Sequence, residues 1–591
     1  MDNKEKEKLE KMQMCRHSLS HVLAKAVKNL YGKESVKLAI GPAIDNGFYY
    51  DFDMPSLTQD CYGEIEKEMK AIIGKNEEFK RVELSREEAL ELFKDEPYKV
   101  ELINDLPEGE VISCYYLGED FVDLCRGPHV EKTSQLQSYA YKVDRINGAY
   151  WKGKKENKML QRIYVYAFPD KKQLNDYLNM VEEAKKRDHN KIGRELEYFT
   201  TVDYIGKGLP IILPKGAKTI QIMQRLVEDE EERRGYKLTK TPYMSKNDLF
   251  KISGHWDHYK ESMFVLGDEE KDKDIYCLRP MTCPFQYQVF LNKPRSYKDL
   301  PMRLDETSTL FRNEASGECH GLIRLRQFTI SEAHLIVRPD QLEQEFKGCL
   351  DLATFMLNIL GLYEDVSFRF SKWDENNTDK YIGSKEEWEK VQGEMRKILT
   401  DLNLDFEEAD GEAAFYGPKL DIQIKNVHGK EDTIITIQID FQIAERFNMY
   451  YTDEKSQKKA PYIIHRTSIG CYERTLAYLL EKYAGALPLW LSAEQVKVMN
   501  IAESSEDYAR QVHEKLLSAG IRSVLDLRNE KIGYKIKDAL VNKFPYMVIV
   551  GDGERDSDTI SIRGRGNENA SGLKLDDFIA RLQEEIKTFK R

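Results

Sequence analysis

The spacing of hydrophobic residues divides the chain into four stretches of different character. Residues 1–170 begin with an amphipathic helical pattern and continue through GPAIDNGFYYDF, where Gly-Pro and Asn-Gly pairs mark turns between short aromatic strands. Charged helical patterns follow at about 60–75 and 86–95, and the strand-like run LQRIYVYAF closes the stretch. We therefore predict an α+β domain over residues 1–170.

Residues 171–199 read as a connecting helix, because no Gly or Pro occurs before Gly193. The apolar residues recur at helical spacing, at Leu174, Tyr177, Leu178 and Val181. His189 lies on a charged face of this stretch, so we expect a solvated or capping role for it rather than metal binding.

Residues 200–487 and 488–591 differ in how their strands are arranged. The third stretch mixes helices with β-rich runs such as TIITIQIDF and has no regular alternation of strand and helix, which favours an antiparallel sheet. In the last stretch apolar strands such as YMVIVG alternate with helices, which is an α/β pattern. The chain is thus predicted to be an α+β multidomain protein.

Composition and charge are those of an ordinary soluble globular protein. A length of 591 residues with 41% hydrophobic and 32% charged residues suggests three or four domains. The net charge of -12 argues weakly against nucleic-acid binding, although a large protein can concentrate Lys and Arg on one face. The charged N-terminus is not a secretory signal, and no apolar run of about 18 residues predicts a membrane helix. The nine scattered Cys residues favour free thiols in a reducing cytoplasm.

Three sequence motifs carry most of the information about function. FRNEASGECHGLIRLRQFTISEAH resembles the second signature motif of class II aminoacyl-tRNA synthetases, GCYERTLAYLLE resembles the third, and TPYMSKNDLF resembles the end of the first, with Pro242 in place. The motifs occur in the expected order, and their residues are similar to those of the threonyl-tRNA synthetase family. The resemblance extends from about residue 15 to the C-terminus. The resemblance implies an antiparallel catalytic core at 200–487, an editing domain at 1–170, a helical linker at 171–199 and an anticodon-binding domain at 488–591.

The resemblance also implies a zinc site formed by Cys283, His334 and His465, with one ion in each subunit. Spacing alone would not define this site, because the three residues are far apart and a lone His in an apolar strand is usually a core residue. Three protein ligands leave an open coordination position. Threonine can fill it through its amino group and hydroxyl, whereas the near-isosteric valine has no hydroxyl.

The implied reaction joins threonine to ATP, with Mg²⁺, and then transfers the threonyl group to tRNA(Thr). Both reactants of the first step are anions, so cationic side chains must hold them together. Arg312 is implied between the carboxylate and the α-phosphate, where a planar guanidinium suits bidentate contacts. The other implied contacts are Glu314 and Phe328 with adenine, Arg324 and Arg474 with the outer phosphates, Lys419 and Gln438 with the nucleotide, and Glu332 and Tyr416 with threonine.

Two motifs depart from the family pattern. MTCPFQ stands where the family writes MNCPGH, and FTISEAH stands where it writes FTQDDAH. Ile330 therefore replaces a Gln that helps to hold the substrate, and Glu332 replaces the Asp that accepts the threonine hydroxyl. We expect these changes to alter the fine geometry of amino-acid recognition and the sensitivity to inhibitors that reach this pocket.

A second, hydrolytic site is expected because serine differs from threonine by one methyl group, which is worth only about 1–3 kcal/mol of discrimination. His17 and His21 share one helix face, and Cys125 and His129 form a Cys-x3-His pair. Spacing alone resembles a four-ligand zinc site, as in the related domain of alanyl-specific enzymes. The resemblance to the threonyl editing domain instead favours a metal-free site that hydrolyses seryl-tRNA(Thr). The same resemblance adds Lys99 and Asp123, and a Lys with His or water moving protons is ordinary acid–base chemistry.

The last stretch resembles the anticodon-binding domain of class II enzymes. RNEKIGYKIKDA is predicted to form a basic patch on a strand, turn and helix, including Arg528, Lys531 and Lys535. Such cations hold the RNA backbone, while polar side chains read the pairing edges of loop bases. The resemblance assigns that second role to Asn529, Glu554 and Arg563.

Two alternatives remain open at the level of sequence. A non-enzymatic paralog could keep the fold for RNA binding or regulation, although the intact ATP-binding Arg residues and zinc ligands speak against it. An enzyme for another amino acid, such as serine, is motivated by Ile330 and Glu332. The first motif implies a homodimer. The small N-terminal domain that usually precedes the editing domain in this family is expected to be absent.

Overall fold

A computed structural model describes residues 3–154, 156–427 and 429–591. The chain divides into two compact units, Met1–Glu182 and Glu183–Arg591. Within the described residues no helix is both long enough and apolar enough to cross a bilayer.

The first unit contains two antiparallel sheets and a long N-terminal helix. Its helices are α1 (Asn3–Tyr31), α2 (Tyr62–Gly74), α3 (Arg86–Leu92) and α4 (Pro97–Asp105). Its strands are β1 (Lys37–Leu38), β2 (Ala43–Ile44), β3 (Gly47–Asp53), β4 (Phe79–Leu84), β5 (Ile112–Leu117), β6 (Val122–Leu124), β7 (Ala140–Tyr150) and β8 (Met159–Phe168). One sheet has the order β1-β3-β8-β7 with β2 on β3, and the other has the order β4-β5-β6.

Helix α1 forms because its apolar residues share one face. Leu19, Val22, Leu23, Ala26 and Val27 follow the i, i+3, i+4, i+7 spacing and are fully buried. They share a core with residues of α2, β3 and β8. This packing fixes the inner face of α1, a helix that also carries His17 and His21.

Helix α5 (Lys171–Arg187) contains the boundary between the units. The predicted connecting helix is in fact two helices, because Asp188 caps a new helix by accepting a hydrogen bond from the Asn190 amide.

The first part of the second unit consists of helices and short strands around a large sheet. Its helices up to residue 482 are α6 (His189–Glu195), α7 (Pro214–Arg233), α8 (Asp248–Ser253), α9 (His255–Tyr259), α10 (Cys283–Leu291), α11 (Leu342–Leu360), α12 (Lys385–Asp401), α13 (Ile443–Arg446) and α14 (Tyr472–Lys482). The strands are β9 (Phe199–Thr200), β10 (Ile211–Ile212), β11 (Lys237–Leu238), β12 (Met244–Lys246), β13 (Val265–Leu266), β14 (Tyr276–Leu278), β15 (Arg295–Ser296), β16 (Met302–Phe311), β17 (Gln327–Val337), β18 (Val366–Ser371), β19 (Phe406–Ala409), β20 (Lys419–Lys425), β21 (Glu431–Asp440), β22 (Tyr451–Thr452), β23 (Lys458–Lys459) and β24 (Tyr462–Cys471).

Eight strands form the central sheet, in the order β11-β16-β17-β24-β21-β20-β18-β19. The six inner strands pair antiparallel, and only the outermost pairs, β11 with β16 and β18 with β19, are parallel. The predicted antiparallel core is therefore confirmed.

Alternation along the strands gives this sheet two different faces. Residues such as Leu335, Ile437 and Leu420 share a large apolar core with α11 and α14. Because successive side chains point to opposite faces, their neighbours His334, Gln438 and Lys419 lie on the other face. Helices thus cover one face, and the other carries polar side chains.

The C-terminal part adds an α/β module. It contains β25 (Val496–Asn500), α15 (Glu506–Ser518), β26 (Ser523–Asp526), α16 (Ile532–Val541), β27 (Tyr546–Val550), α17 (Asp552–Ser557), β28 (Ile560–Gly564), β29 (Asn569–Leu573) and α18 (Leu575–Lys587). The sheet order is β26-β25-β27-β28-β29, with parallel pairs first and antiparallel pairs last. The apolar runs VKVMNIA, RSVLDLR, YMVIVG and TISIR, which predict strands, correspond to β25, β26, β27 and β28, and β29 was not predicted.

Candidate active site and metal centre

A cavity of about 830 Å³ opens on the polar face of the central sheet. It brings together predicted site residues from four distant segments of the sequence. Those that line it are Cys283, Arg312, Glu314, Arg324, Phe328, Glu332, Tyr416, Lys419, Gln438, His465 and Arg474. His334 is fully buried and does not line the cavity itself.

Strand register aligns the key side chains across the sheet. His334 on β17 pairs with His465 on β24, which pairs with Gln438 on β21, which pairs with Lys419 on β20. We call these four residues the transverse row. Directly paired residues lie about 4.5–5.5 Å apart, so the row delivers both imidazoles and two polar side chains to one line.

Cys283, His334 and His465 form a candidate metal centre. Their donor atoms all lie within 4.8 Å of one another, and all three side chains are buried. Cys283 is the first residue of α10, where the helix dipole favours a thiolate. Burial, reinforced by the charges of Glu332 and Asp440, raises the pKa of this thiol, so a cation is needed to hold the thiolate form.

One atom at this centre lacks the partner that its burial requires. Among the described residues, His334 Nε2 is buried without a hydrogen-bond partner. An unpartnered buried nitrogen is costly unless something binds it. One sulfur and two nitrogen donors are a common zinc ligand set, so the residues fit such an ion.

Each histidine is oriented through its other ring nitrogen. His334 Nδ1 lies 2.5 Å from Gln286 Oε1, and His465 Nε2 lies 3.1 Å from Asp440 Oδ2. Asp440 is held in turn by the backbone amides of Gln442 and Ile443. Such outer partners fix the ring orientation of metal-binding histidines.

The residues that depart from the family pattern have different environments. Glu332 Oε1 lies 3.5 Å from His334 Nε2, and burial raises the pKa of this carboxyl. Ile330 lines the cavity, and a bulge interrupts the pairing with β24 between Ile330 and Glu332. Phe285 instead packs in a separate apolar cluster with Phe250.

Four of the residues that line the cavity contact each other in pairs. Arg324 Nε lies 2.9 Å from Glu314 Oε2, and the Arg312 guanidinium lies 5.2 Å from the centre of the Phe328 ring. The Arg324 side chain is 49% exposed, so its ion pair is worth at most about 1 kcal/mol. Phosphate groups can therefore compete for Arg324.

Arg474 and Lys419 also have internal partners. Arg474 donates to the carbonyls of Ile323 and Thr433 at 2.9 Å each, and so ties the loop before β17 to β21. Lys419 lies 2.7 Å from Asp421, and the Tyr416 hydroxyl donates to Gln438.

Two histidines show what sequence reasoning missed. His255 lines the cavity, and burial lowers its pKa to about 3; no ligand-like spacing marked it in the sequence. The expectation for His189 was wrong, because this side chain is fully buried. Its Nδ1 lies 2.7 Å from Glu481 Oε1, and its Nε2 accepts from the Leu322 amide at 3.3 Å. A charged local sequence cannot reveal such distant partners.

The first unit holds the second candidate site. The donor atoms of His17, His21, Cys125 and His129 lie within 4.8 Å of one another. Cys125 Sγ is 3.2 Å from His17 Nε2 and 3.3 Å from His129 Nε2. Burial raises the pKa of the Cys125 thiol to about 12 and lowers the pKa values of all three histidines. All four groups are therefore neutral near pH 7.

A buried ion pair completes this second cluster. Lys99 Nζ lies 2.6 Å from Asp123 Oδ1, and His21 Nε2 lies 3.6 Å from Asp123 Oδ2. The Tyr50 hydroxyl, which sequence reasoning missed, donates to Asp123 at 2.5 Å. All six predicted positions of this site thus lie together.

The three predicted anticodon residues have different environments. Asn529 is exposed and Arg563 is half-buried on β28. Glu554 already accepts hydrogen bonds from Ser561 Oγ and the Gly551 amide.

The basic patch of the C-terminal module is smaller than predicted. Lys535 is buried and donates to Asn500 Oδ1 at 2.8 Å, and Arg528 pairs with Asp526 and Asp538. Lys531 and Lys537 remain exposed. Part of the local positive charge is thus neutralised within the module.

Comparisons with known proteins agree with this arrangement. Residues 264–483 match the class II core domain of the synthetases for G, H, P, S and T, and residues 495–585 match an anticodon binding domain. Residues 112–164 match the second additional domain of threonyl and alanyl tRNA synthetases. The predicted fold class is confirmed by these three matches.

Individual relatives point the same way. The chain is 60% identical to the threonine–tRNA ligase of Clostridium perfringens strain SM101 over 571 residues, which are 96% of this chain and 88% of that protein. It is 45% identical to the threonine–tRNA ligase of a Geobacillus species over 98% of this chain and 89% of that protein. A crystal structure described as the RNA binding domain of threonyl-tRNA synthetase from Cryptosporidium parvum matches with a TM-score of 0.63 at 31% identity, covering 67% of this chain and 98% of that one. The chain therefore belongs to the threonine–tRNA ligase family of class II aminoacyl-tRNA synthetases.

Proposed function

We propose that this protein activates threonine with ATP to threonyl-adenylate and transfers the threonyl group to tRNA(Thr), releasing pyrophosphate and then AMP. One observation carries the proposal: Cys283 and His465, two of the three clustered donor residues, line the same cavity as the cationic side chains of Arg312, Arg324, Lys419 and Arg474. Substrate carboxylate and nucleotide phosphate can therefore meet next to a group that selects the amino acid.

Cys283, His334 and His465 would hold a zinc ion, one in each subunit. When bound, the ion supplies a Lewis-acidic position for the amino group and hydroxyl of threonine. Glu332 accepts the threonine hydroxyl, and the Tyr416 ring, stacked 5.1 Å from the His465 ring, closes the side of the pocket. The buried, polar character of this pocket disfavours valine, which would leave polar groups unpaired.

The remaining residues bind and orient ATP, which brings Mg²⁺ with it. Arg312 lies between the carboxylate and the α-phosphate and offsets the charge that builds up as the new bond forms. Phe328 stacks on adenine and Glu314 accepts its amino group. Arg324, Lys419 and Arg474 hold the phosphates, and Gln438 positions the nucleotide. Arg324 exchanges its pairing with Glu314 for phosphate.

The cluster of the first unit is proposed to hydrolyse seryl-tRNA(Thr) without a metal. Its histidines are kept neutral by burial and can take up a proton during catalysis. Lys99, held by Asp123, provides a positive charge beside the ribose hydroxyls of the tRNA end.

Each of the four predicted domains has a proposed role. We propose residues 1–170 as the editing domain, 171–199 as a helical linker, 200–487 as the catalytic domain and 488–591 as the anticodon-binding domain. Asn529, Glu554 and Arg563 read anticodon bases, which requires Glu554 to give up at least one internal partner. A homodimer that works in the cytoplasm completes the proposal.

ATP–pyrophosphate exchange with threonine, serine and valine tests the activation step, and charging of a tRNA(Thr) transcript tests the transfer. We expect exchange with threonine well above exchange with valine, and charging with threonine. Absence of exchange with every amino acid would refute the enzyme assignment, while exchange with serine at the expense of threonine would refute the substrate.

A further inference from the structure

Gln286 lies between the proposed metal centre and the segment that follows β11. It is three residues after Cys283 on α10, so the two side chains share one helix face. Its side chain is fully buried. The amide oxygen lies 2.5 Å from His334 Nδ1, and the amide nitrogen lies 2.7 Å from Thr239 Oγ1.

The donor and acceptor in each hydrogen bond between Thr239, Gln286 and His334 follow from the contacts of Thr239. The Thr239 hydroxyl lies 2.9 Å from the backbone carbonyl of Asp305, which can only accept, so Thr239 donates there. The weaker contact of this hydroxyl, 3.4 Å to a carboxylate oxygen of Glu306, is also to an acceptor. Thr239 has a single hydroxyl proton, so toward Gln286 it can only accept.

The orientation of the Gln286 amide follows from this. Gln286 must present its NH₂ group to Thr239, which turns its carbonyl oxygen toward His334. That oxygen can only accept, so His334 Nδ1 must carry the proton. The lone pair of the neutral ring is then on Nε2, the buried nitrogen that has no partner among the described residues.

We propose that Gln286 is a positioning residue that sets the tautomer of His334 for metal binding, and that Thr239 fixes the orientation of the Gln286 amide. The inference rests on the proposed metal site. It adds that Thr239, a residue outside the cavity, orients Gln286, and that Gln286 sets the tautomer of His334. Thr239 does not line the cavity, and its hydroxyl contacts the Gln286 amide directly, so a substitution there acts on the metal centre through Gln286 and not by direct contact.

Four variants distinguish a hydrogen-bonding role of Thr239 and Gln286 from a role in packing alone. Gln286→Met keeps the approximate shape but offers no hydrogen bond to His334. Thr239→Val removes the acceptor for the amide NH₂, which lets the amide turn over and favour the wrong tautomer. Gln286→Glu offers an oxygen in either orientation, so its carboxylate accepts from Nδ1 without help from Thr239. The double variant Gln286→Glu with Thr239→Val should therefore lose the effect of the Thr239 change.

The measurement is the rate of zinc release from the full-length protein to a chromophoric chelator, with the absorption of the cobalt-substituted protein as a report on the coordination. Outer partners of zinc-binding histidines typically change metal affinity 10–100-fold. We expect release about 10- to 100-fold faster from Gln286→Met, a smaller acceleration from Thr239→Val, and near wild-type release from Gln286→Glu and from the double variant. Thr219→Val is the matched control, because it removes the buried hydroxyl of a residue on α7, which lies 3.4 Å from the Leu491 carbonyl and outside the cluster of Gln286, Thr239 and His334.

The possible failures are distinguishable. Wild-type protein that takes up no metal would overturn the metal site and this inference with it. Wild-type protein that holds zinc while folded Gln286→Met releases it at the same rate, with an unchanged cobalt spectrum, would overturn the role of Gln286 alone. Equal acceleration by Thr239→Val in the wild-type and Gln286→Glu backgrounds would overturn the role of Thr239. Far-UV circular dichroism confirms that each variant is folded.

Discussion

Replacing Cys283 with Ser tests the metal centre by removing its only thiolate. A site that binds a substrate hydroxyl rejects an analogue without it by about 10⁴–10⁵, whereas an apolar pocket separates near-isosteres by only about 10². Loss of the metal should therefore reduce threonine activation about 10²–10³-fold, which corresponds to about 2.7–4 kcal/mol. Glu332 is close to His334, but a carboxylate at this position does not replace the lost sulfur ligand.

The matched control is Cys277→Ser on β14. Cys277 is as buried as Cys283 but is not part of the donor cluster, so both variants bury a hydroxyl in place of a thiol. ATP–pyrophosphate exchange gives kcat/KM for threonine and valine, and atomic absorption gives the zinc content. Cys277→Ser should keep both near the wild-type values. Zinc-free Cys283→Ser protein that retained more than about a tenth of the threonine kcat/KM would refute the reasoning.

Three further changes test other parts of the structure. His17→Ala should leave threonine activation intact and slow hydrolysis of seryl-tRNA(Thr) by about 10²–10⁴-fold, as loss of an acid–base group does; unchanged clearance of the misacylated tRNA would refute the editing role. Glu231→Ala leaves the buried Arg466, 2.6 Å away, without its carboxylate, so urea denaturation should show a loss of about 3–5 kcal/mol, and a loss below about 1 kcal/mol would contradict the pairing. Because burial lowers the pKa of His129, the unfolded chain takes up its proton near pH 6.5 while the folded chain does not, so stability falls as pH drops below that value. His129→Asn should reduce this slope by up to about 1.4 kcal/mol per pH unit, and an unchanged slope between pH 5 and 7 would contradict the burial effect.

The sequence predicted the elements better than their contacts. The run TIITIQIDF was predicted to be β-rich and, except for its last residue, lies in β21, because the strand preference of a short run depends on the residues within it. The resemblance to the family placed Arg312, Glu332 and His465 in one site, and no local sequence pattern did so. The pairing of His334 with His465 depends on the register of strands 131 residues apart, which no local pattern encodes.

The errors have a common physical cause. His189 and Lys535 both lie in charged stretches, where solvent exposure is the usual outcome. Both are buried because polar partners from other elements compensate them: Glu481 on α14 for His189, and Asn500 on β25 for Lys535. Such compensation is visible only once the fold has brought distant segments together.

The transverse row restricts how the length of this protein can change during evolution. Adding or deleting one codon within β17, β24, β21 or β20 would turn the following side chains of that strand over, and would place His334, His465, Gln438 or Lys419 among the apolar residues under the helices. Insertions and deletions that survive selection should therefore occur in the connecting loops, and these four strands should keep a constant length among active relatives.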